Sequence, residues 1–165
     1  QDISQTHLLK KLIARCAHPF SEALRSNNVD LTYKDIELIN IRTDFRLFNC
    51  AVYHFFENIV KYIRPDSQIT VSVNSSLDEL NFEMMSRAIE TEESNLIFSE
   101  GFCGKYSGRE KVEGLGMYIF SLILSKMKAT PSVKWEENTR LITGDYPYQK
   151  NIFSIKMVPG VMYKS

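Results

Sequence analysis

The chain has 165 residues, 44% of them hydrophobic and 24% charged, which fits one globular domain over residues 1–165 and excludes a disordered chain. Lys plus Arg and Asp plus Glu each total 20, giving a net charge of +0. A general nucleic-acid or membrane-surface binder needs excess positive charge, so nucleic acid is not an expected partner.

From Ile3 to about Ser26, Leu8, Leu9, Leu12, Ile13, Cys16, Phe20, Ala23 and Leu24 recur at helical spacing. Ser4 or Thr6 can cap this helix, Pro19 predicts a kink or break, and Asn27-Asn28 supplies a stop. Val29–Tyr33 alternates as a strand, and Ile36–Ile41 reads as a second short strand or an extended approach. Asp44–Ile63 is a long helix capped by Thr43 or Asp44, with Leu47, Ala51, Phe55, Ile59 and Tyr62 as its buried stripe. Pro65 stops it. Ile69, Val71 and Val73, then Leu80, Phe82 and Met84, alternate on either side of the Asn74-Ser75-Ser76 turn and predict a hairpin. Asn95–Phe98 reads as a short helical turn. The glycine-rich, basic stretch Gly101–Gly116 reads as a mobile loop. Leu115–Met127 predicts a third long helix, and Pro131–Trp135 and Ile152–Val158 predict closing strands. This order predicts an α+β fold, a two-layer sandwich with helices on one face of a mixed sheet.

No apolar run reaches bilayer length, so no direct membrane insertion is expected of this segment. A start at Gln1 reads as part of a longer protein, whose other parts can carry a membrane anchor. Cys16, Cys50 and Cys103 form no close pair, which points to a reducing, cytoplasmic compartment. His7, His18 and His54 are scattered, without the close spacing of a structural metal site.

Two local patterns carry chemistry. Gly114-Leu115-Gly116 opens a helix after a loop holding Lys105 and Arg109, an arrangement that lets backbone N–H groups and basic side chains approach a phosphate. Glycine also simply ends loops. In the middle helix His54, Asn58 and Lys61 share one face. An Asn amide oxygen can ligate Mg²⁺ and a Lys can reach phosphate oxygens, although each residue taken singly better suits a solvated face.

His54-Phe55-Phe56-Glu57-Asn58-Ile59-Val60-Lys61-Tyr62 resembles the N box of histidine-kinase catalytic domains. Ile97-Phe98 with Phe102 resembles the F box, and Gly114–Ile119 resembles the G2 box G-L-G-L-x-I. Asp44-Phe45-Arg46-Leu47 matches the Asp-x-x-Leu that opens the N-box helix. In order and spacing, from about Ile3 to Val158, the chain is similar to the GHKL ATPase superfamily. The resemblance implies a Bergerat-type fold with ATP and Mg as cofactors. It places Asn58, Lys61, Tyr62, Lys105, Arg109, Gly114, Leu115 and Gly116 at nucleotide and phosphate, with Asn58 on the metal.

The G1 box departs from that pattern. Counting back from Ile97-Phe98 puts Met84 at the adenine-selecting Asp, and Ser86 and Ala88 at the two glycines. Met accepts no strong hydrogen bond, and each Cβ crowds a turn built for glycine. His54 replaces the first N-box Asn, and Cys103 stands at a position often basic. The expectation is a histidine-kinase-like signalling domain with a degenerate nucleotide site. It would bind ATP weakly or not at all and act through other domains of a signalling protein or a response-regulator-like protein. Two readings stay open beside it: a working Mg-ATP-binding domain of a sensor histidine kinase, with Glu83, Glu90 or a water replacing the Asp, and a purely structural or ligand-sensing module. His18-Pro19 lacks the context of a phosphoacceptor helix, so the segment alone is not expected to autophosphorylate.

Overall fold

The structure, a computed structural model, describes residues 4–106 and 116–165. The first predicted helix is divided. Gln5–Leu8 is a strand (β1), Leu9–Ala17 a helix (α1), His18–Phe20 a 3-10 turn and Ser21–Ser26 a short helix (α2). Pro19 causes the break, because its ring denies the chain an N–H for a continuous ladder. Leu8 precedes α1 with no side-chain cap, so neither Ser4 nor Thr6 serves as the N-cap. Asn28 adopts φ 53°, the left-handed stop expected after α2.

Val29–Tyr33 (β2) and Ile39–Thr43 (β3) follow, then the long helix Phe45–Tyr62 (α3). Asp44 caps it, accepting from the Arg46 amide at 2.9 Å. Ser67–Val73 (β4) and Glu79–Arg87 (β5) form the predicted hairpin. A 3-10 turn at Thr91–Glu93 leads toward Gly116–Lys126 (α4). The closing strands are longer than their apolar patterns suggest: Thr130–Thr143 (β6) and Tyr146–Lys156 (β7), followed by Met162–Lys164 (β8).

Two sheets result, where one was expected. The main sheet runs β2-β4-β5-β7-β6, with β2 parallel to β4 and the other neighbours antiparallel. The smaller sheet runs β1-β3-β8, all antiparallel, and joins both ends of the chain to the middle. On the inner face of the β5–β7 ladder, Leu80 pairs with Ile155 and Phe82 with Phe153. The α3 ring of Phe55 packs on Phe82 and Phe153 of this face, and on Phe120 of α4. The same inner face then turns polar: Met84 pairs with Asn151 and Ser86 with Gln149. That gradient sets the position of the site. The end of α3 is fastened to the same strand end, with Ile63 bridged to Ser86 and the Arg64 amide donating to the Met85 carbonyl at 2.9 Å. No helix of the described residues is long and apolar enough to cross a membrane.

Candidate functional site

A cleft of about 130 Å³ opens between α3, the end of β5, the 3-10 turn, the segment 101–106 and the start of α4. Asn58, Lys61 and Tyr62 reach it from α3, Ser86 and Ala88 from the strand end, and Gly116 from α4. The two chemically suggestive patterns therefore meet. A Cβ on Gly116 would stand 3.9 Å from that of Asn58. Arg109, Gly114 and Leu115 lie outside the described residues.

Two expected site residues are placed elsewhere. Met84 is 2% exposed and belongs to the hydrophobic core, not to the cleft wall. It shares the phase of Leu80 and Phe82, so the strand turns it inward with them. Lys105 is exposed, and its ammonium lies 3.7 Å from the Glu90 carboxylate rather than in the cleft. Glu83, considered as a substitute acceptor, is bound on the outer side of the sheet by Lys150. His54 is half-buried, with Nδ1 enclosed and without a partner among the described residues.

The residues that sequence reasoning missed are Gln149 and Asn151, both 0% exposed. The Asn151 amide donates to Ser86 Oγ at 2.7 Å and to the Arg87 carbonyl at 3.1 Å, and its oxygen accepts from Gln149 Nε2 at 3.0 Å. Gln149 Oε1 in turn accepts from Arg140 at 3.2 Å. The signal was the period-two phase of Phe153 and Ile155, which carries back through positions 151 and 149. Replacing Asn151 by Ala should cost about 2 kcal/mol, because Ser86 and Gln149 lose a buried partner. Urea unfolding checks this. A loss near zero would show that water replaces the amide.

The start of the glycine-rich stretch, expected to be mobile, is tied down over residues 101–106. Tyr106 donates its hydroxyl to Glu90 at 2.7 Å, and the Lys105 amide donates to Glu93. Arg87 Nη1 donates to the Tyr106 carbonyl at 3.0 Å, and Arg140 lies 3.6 Å from Glu90. The Tyr106 hydroxyl first, then Arg140 and Lys105, hold the Glu90 carboxyl below its ordinary value. A depressed carboxylate stabilises the folded arrangement above the ordinary glutamate pKa of about 4.3 and loses that contribution as pH falls through the lowered value. Amide protection factors in residues 101–106 should therefore fall below about pH 4, and those of Glu90→Gln should be low at every pH. Equal protection in Glu90→Gln at pH 7 would refute the latch.

The cleft fits a phosphate-bearing ligand at one end only. Asn58 and Lys61 supply an amide oxygen for a divalent cation and an ammonium for phosphate oxygens. At the strand end Met84 is buried in the core and Ser86 Oγ is engaged by Asn151, so neither offers an open acceptor to the cleft.

No family model matches the chain, and no curated protein matches it in sequence. Solved structures do match in fold. The catalytic domain of the histidine kinase ThkA is 19% identical with a TM-score of 0.66, over 94% of this chain and 97% of that one. The mycobacterial sensor histidine kinase MprB is 14% identical at a TM-score of 0.65, over 93% and 99%. Full-length ShkA, solved in complex with AMPPNP, is 15% identical at 0.66, over 98% of this chain and 32% of that one. The chain has the fold of the histidine-kinase catalytic domains, the α+β fold of the GHKL ATPases.

Proposed function

We propose that this chain is a histidine-kinase-like signalling domain with a degenerate nucleotide cleft, which binds ATP weakly or not at all and works by protein contact. The observation that supports this most is the strand end of the cleft. Met84, at the position the resemblance gives to the adenine-selecting carboxylate, is turned into the core, and Ser86 is held by Asn151 at 2.7 Å, so neither presents an acceptor to the cleft. Losing one hydrogen bond that a base pocket is built around costs about 1–3 kcal/mol, roughly five- to 150-fold in affinity. The partners in this reading are other domains of a cytoplasmic signalling protein or a response-regulator-like protein. ThkA, of similar fold, has been solved in complex with the response regulator protein TrrA, and this chain spans 42% of that ThkA chain.

A second reading has its own support. Asn58, Lys61 and Gly116 meet at the cleft, so the phosphate and metal end of a working Mg-ATP-binding domain is retained. Calorimetry with Mg-ATP separates the two. The degenerate reading expects a dissociation constant far above the micromolar range. Micromolar binding that Lys61→Ala abolishes would establish the second reading instead.

A further inference from the structure

We infer that Arg140, aimed by a bulge in the edge strand β6, locks residues 101–106 across the cleft and so controls ligand entry from outside it. This control does not depend on which ligand the cleft takes. Phe102, Gly104 and Tyr106 form part of the wall, and with them in place the cleft holds about 130 Å³. Sites for small molecules usually measure about 300–1,000 Å³, so a ligand of ordinary size enters only when this segment lifts.

A closed ring of polar contacts holds the segment down. Tyr106 donates its hydroxyl to Glu90 at 2.7 Å, and Arg140 Nη1 lies 3.6 Å from the same carboxylate oxygen. Arg140 also donates to Gln149 Oε1, from Nη2 at 3.2 Å and from Nε at 3.3 Å. Gln149 donates to Asn151 at 3.0 Å, Asn151 to the Arg87 carbonyl at 3.1 Å, and Arg87 Nη1 to the Tyr106 carbonyl at 3.0 Å. The ring starts and ends on Tyr106. Its β7 members, Gln149 and Asn151, are fully buried and fixed. Arg140 is the member that an event at the surface can move. Its side chain is 32% exposed, and β6 is paired on one side only among the described residues.

The bulge puts Arg140 in the ring. Glu136 pairs with Lys150 and Leu141 with Tyr148, so β6 takes five steps where β7 takes two. In an unshifted ladder Glu137 would face Gln149, bringing a carboxylate where the shift brings a guanidinium. Thr139 Oγ1 accepts the Lys150 amide at 2.9 Å and pins the bulge. Re-aiming one side chain beside a site is a common use of such an irregularity.

The test is amide exchange of the whole chain at pH 7 without ligand. Fluorescence of the dye anilinonaphthalene sulfonate measures access to the apolar wall of Ile89, Ile97 and Met117. Arg140→Gln keeps an amide donor for Gln149 and removes the cation from Glu90. It should lower protection in residues 101–106 about two- to fivefold, the size of a surface ion pair, and raise dye fluorescence, with α3 and β5 still protected. Arg140→Lys keeps a cation without the fork. It should fall between the parent and Arg140→Gln, and it carries the test if Arg140→Gln fails to fold. In a Glu90→Gln background Arg140→Gln should add nothing, because Arg140 reaches the segment through Glu90. A further loss in that background, or an equal loss in α3 and β5, would reveal a general structural role and overturn the inference. Unchanged protection in Arg140→Gln would do the same. Lowered protection with no rise in dye fluorescence would mean that the segment moves without opening the cleft, and control of entry would be refuted.

Discussion

Replacing Phe55 by Ala is expected to destabilise the domain by about 3–5 kcal/mol, the largest single loss available in the core. The ring is 1% exposed. Its centre lies 4.8 Å from that of Phe82, 5.4 Å from Phe120, 5.6 Å from Phe153 and 5.7 Å from Phe56. One side chain thus joins α3 to β5, β7 and α4, and truncation removes its transfer energy and leaves a cavity between four elements. Against a total stability of about 5–15 kcal/mol, that loss is about a fifth or more of what a domain holds. The melting temperature should drop by roughly 6–20 °C at this chain length. Urea denaturation should show a lower midpoint at an unchanged slope, since the surface exposed on unfolding hardly differs. A loss under about 1 kcal/mol would mean that the rings do not pack as the inter-centre distances require.

The parts of the fold that could be read from sequence are those with local causes. Helix α3 announces itself through the Asp44 cap, a 3.6-residue apolar period and Pro65 after its end. β4 and β5 show clean alternation around a polar turn. β1 has no such signal. Its four residues pair with β3, Leu8 opposite Asn40, and that partner is remote in sequence, so the helical phase of Leu8, Leu9, Leu12 and Ile13 absorbed it. β6 is an edge strand with half-exposed and exposed residues throughout, so only Pro131–Trp135 of its 14 residues reads as a strand. The apolar pattern of β7 starts late for a related reason. Gln149 and Asn151 are polar although fully buried, and a pattern that counts apolar residues stops at Ile152.

The site divides along the same line. Asn58 and Gly116 were brought together by motif order, and the structure places both on one cleft. The contacts of Glu90 with Tyr106, Lys105 and Arg140 join three separate segments through turn geometry, which no periodicity encodes. Met84 shows how two sequence cues can conflict. Motif counting put it in a ligand pocket, and its alternation with Leu80 and Phe82 put it in the core. Alternation prevailed, because an apolar side chain on the buried face of a central strand gains more from packing than from a wet cleft.

Met84→Asp turns that distinction into a measurement. The side chain is 2% exposed, and its strand neighbours in register are Ile69 and Asn151. The substitution removes a packed apolar side chain and buries a carboxyl group, a combined cost of about 3 kcal/mol or more. Burial disfavours the charged form, so the new carboxyl should titrate above the ordinary aspartate pKa of about 3.9. A folded-state pKa raised in this way destabilises the protein at high pH and ceases to do so below the unfolded value. The stability gap between Met84→Asp and the parent should therefore narrow as pH falls from 7 toward 4. Met84→Leu preserves the volume roughly and should cost under about 1.5 kcal/mol with no pH dependence. The Asn151 amide is the one group across the register that can donate to the new carboxylate. In Met84→Asp with Ser86→Gly, where that amide loses the Ser86 hydroxyl as an acceptor, the combined loss should fall below the sum of the two single losses. A Met84→Asp protein that melts with the parent at every pH would place position 84 in water, and would return it to the wall of the cleft.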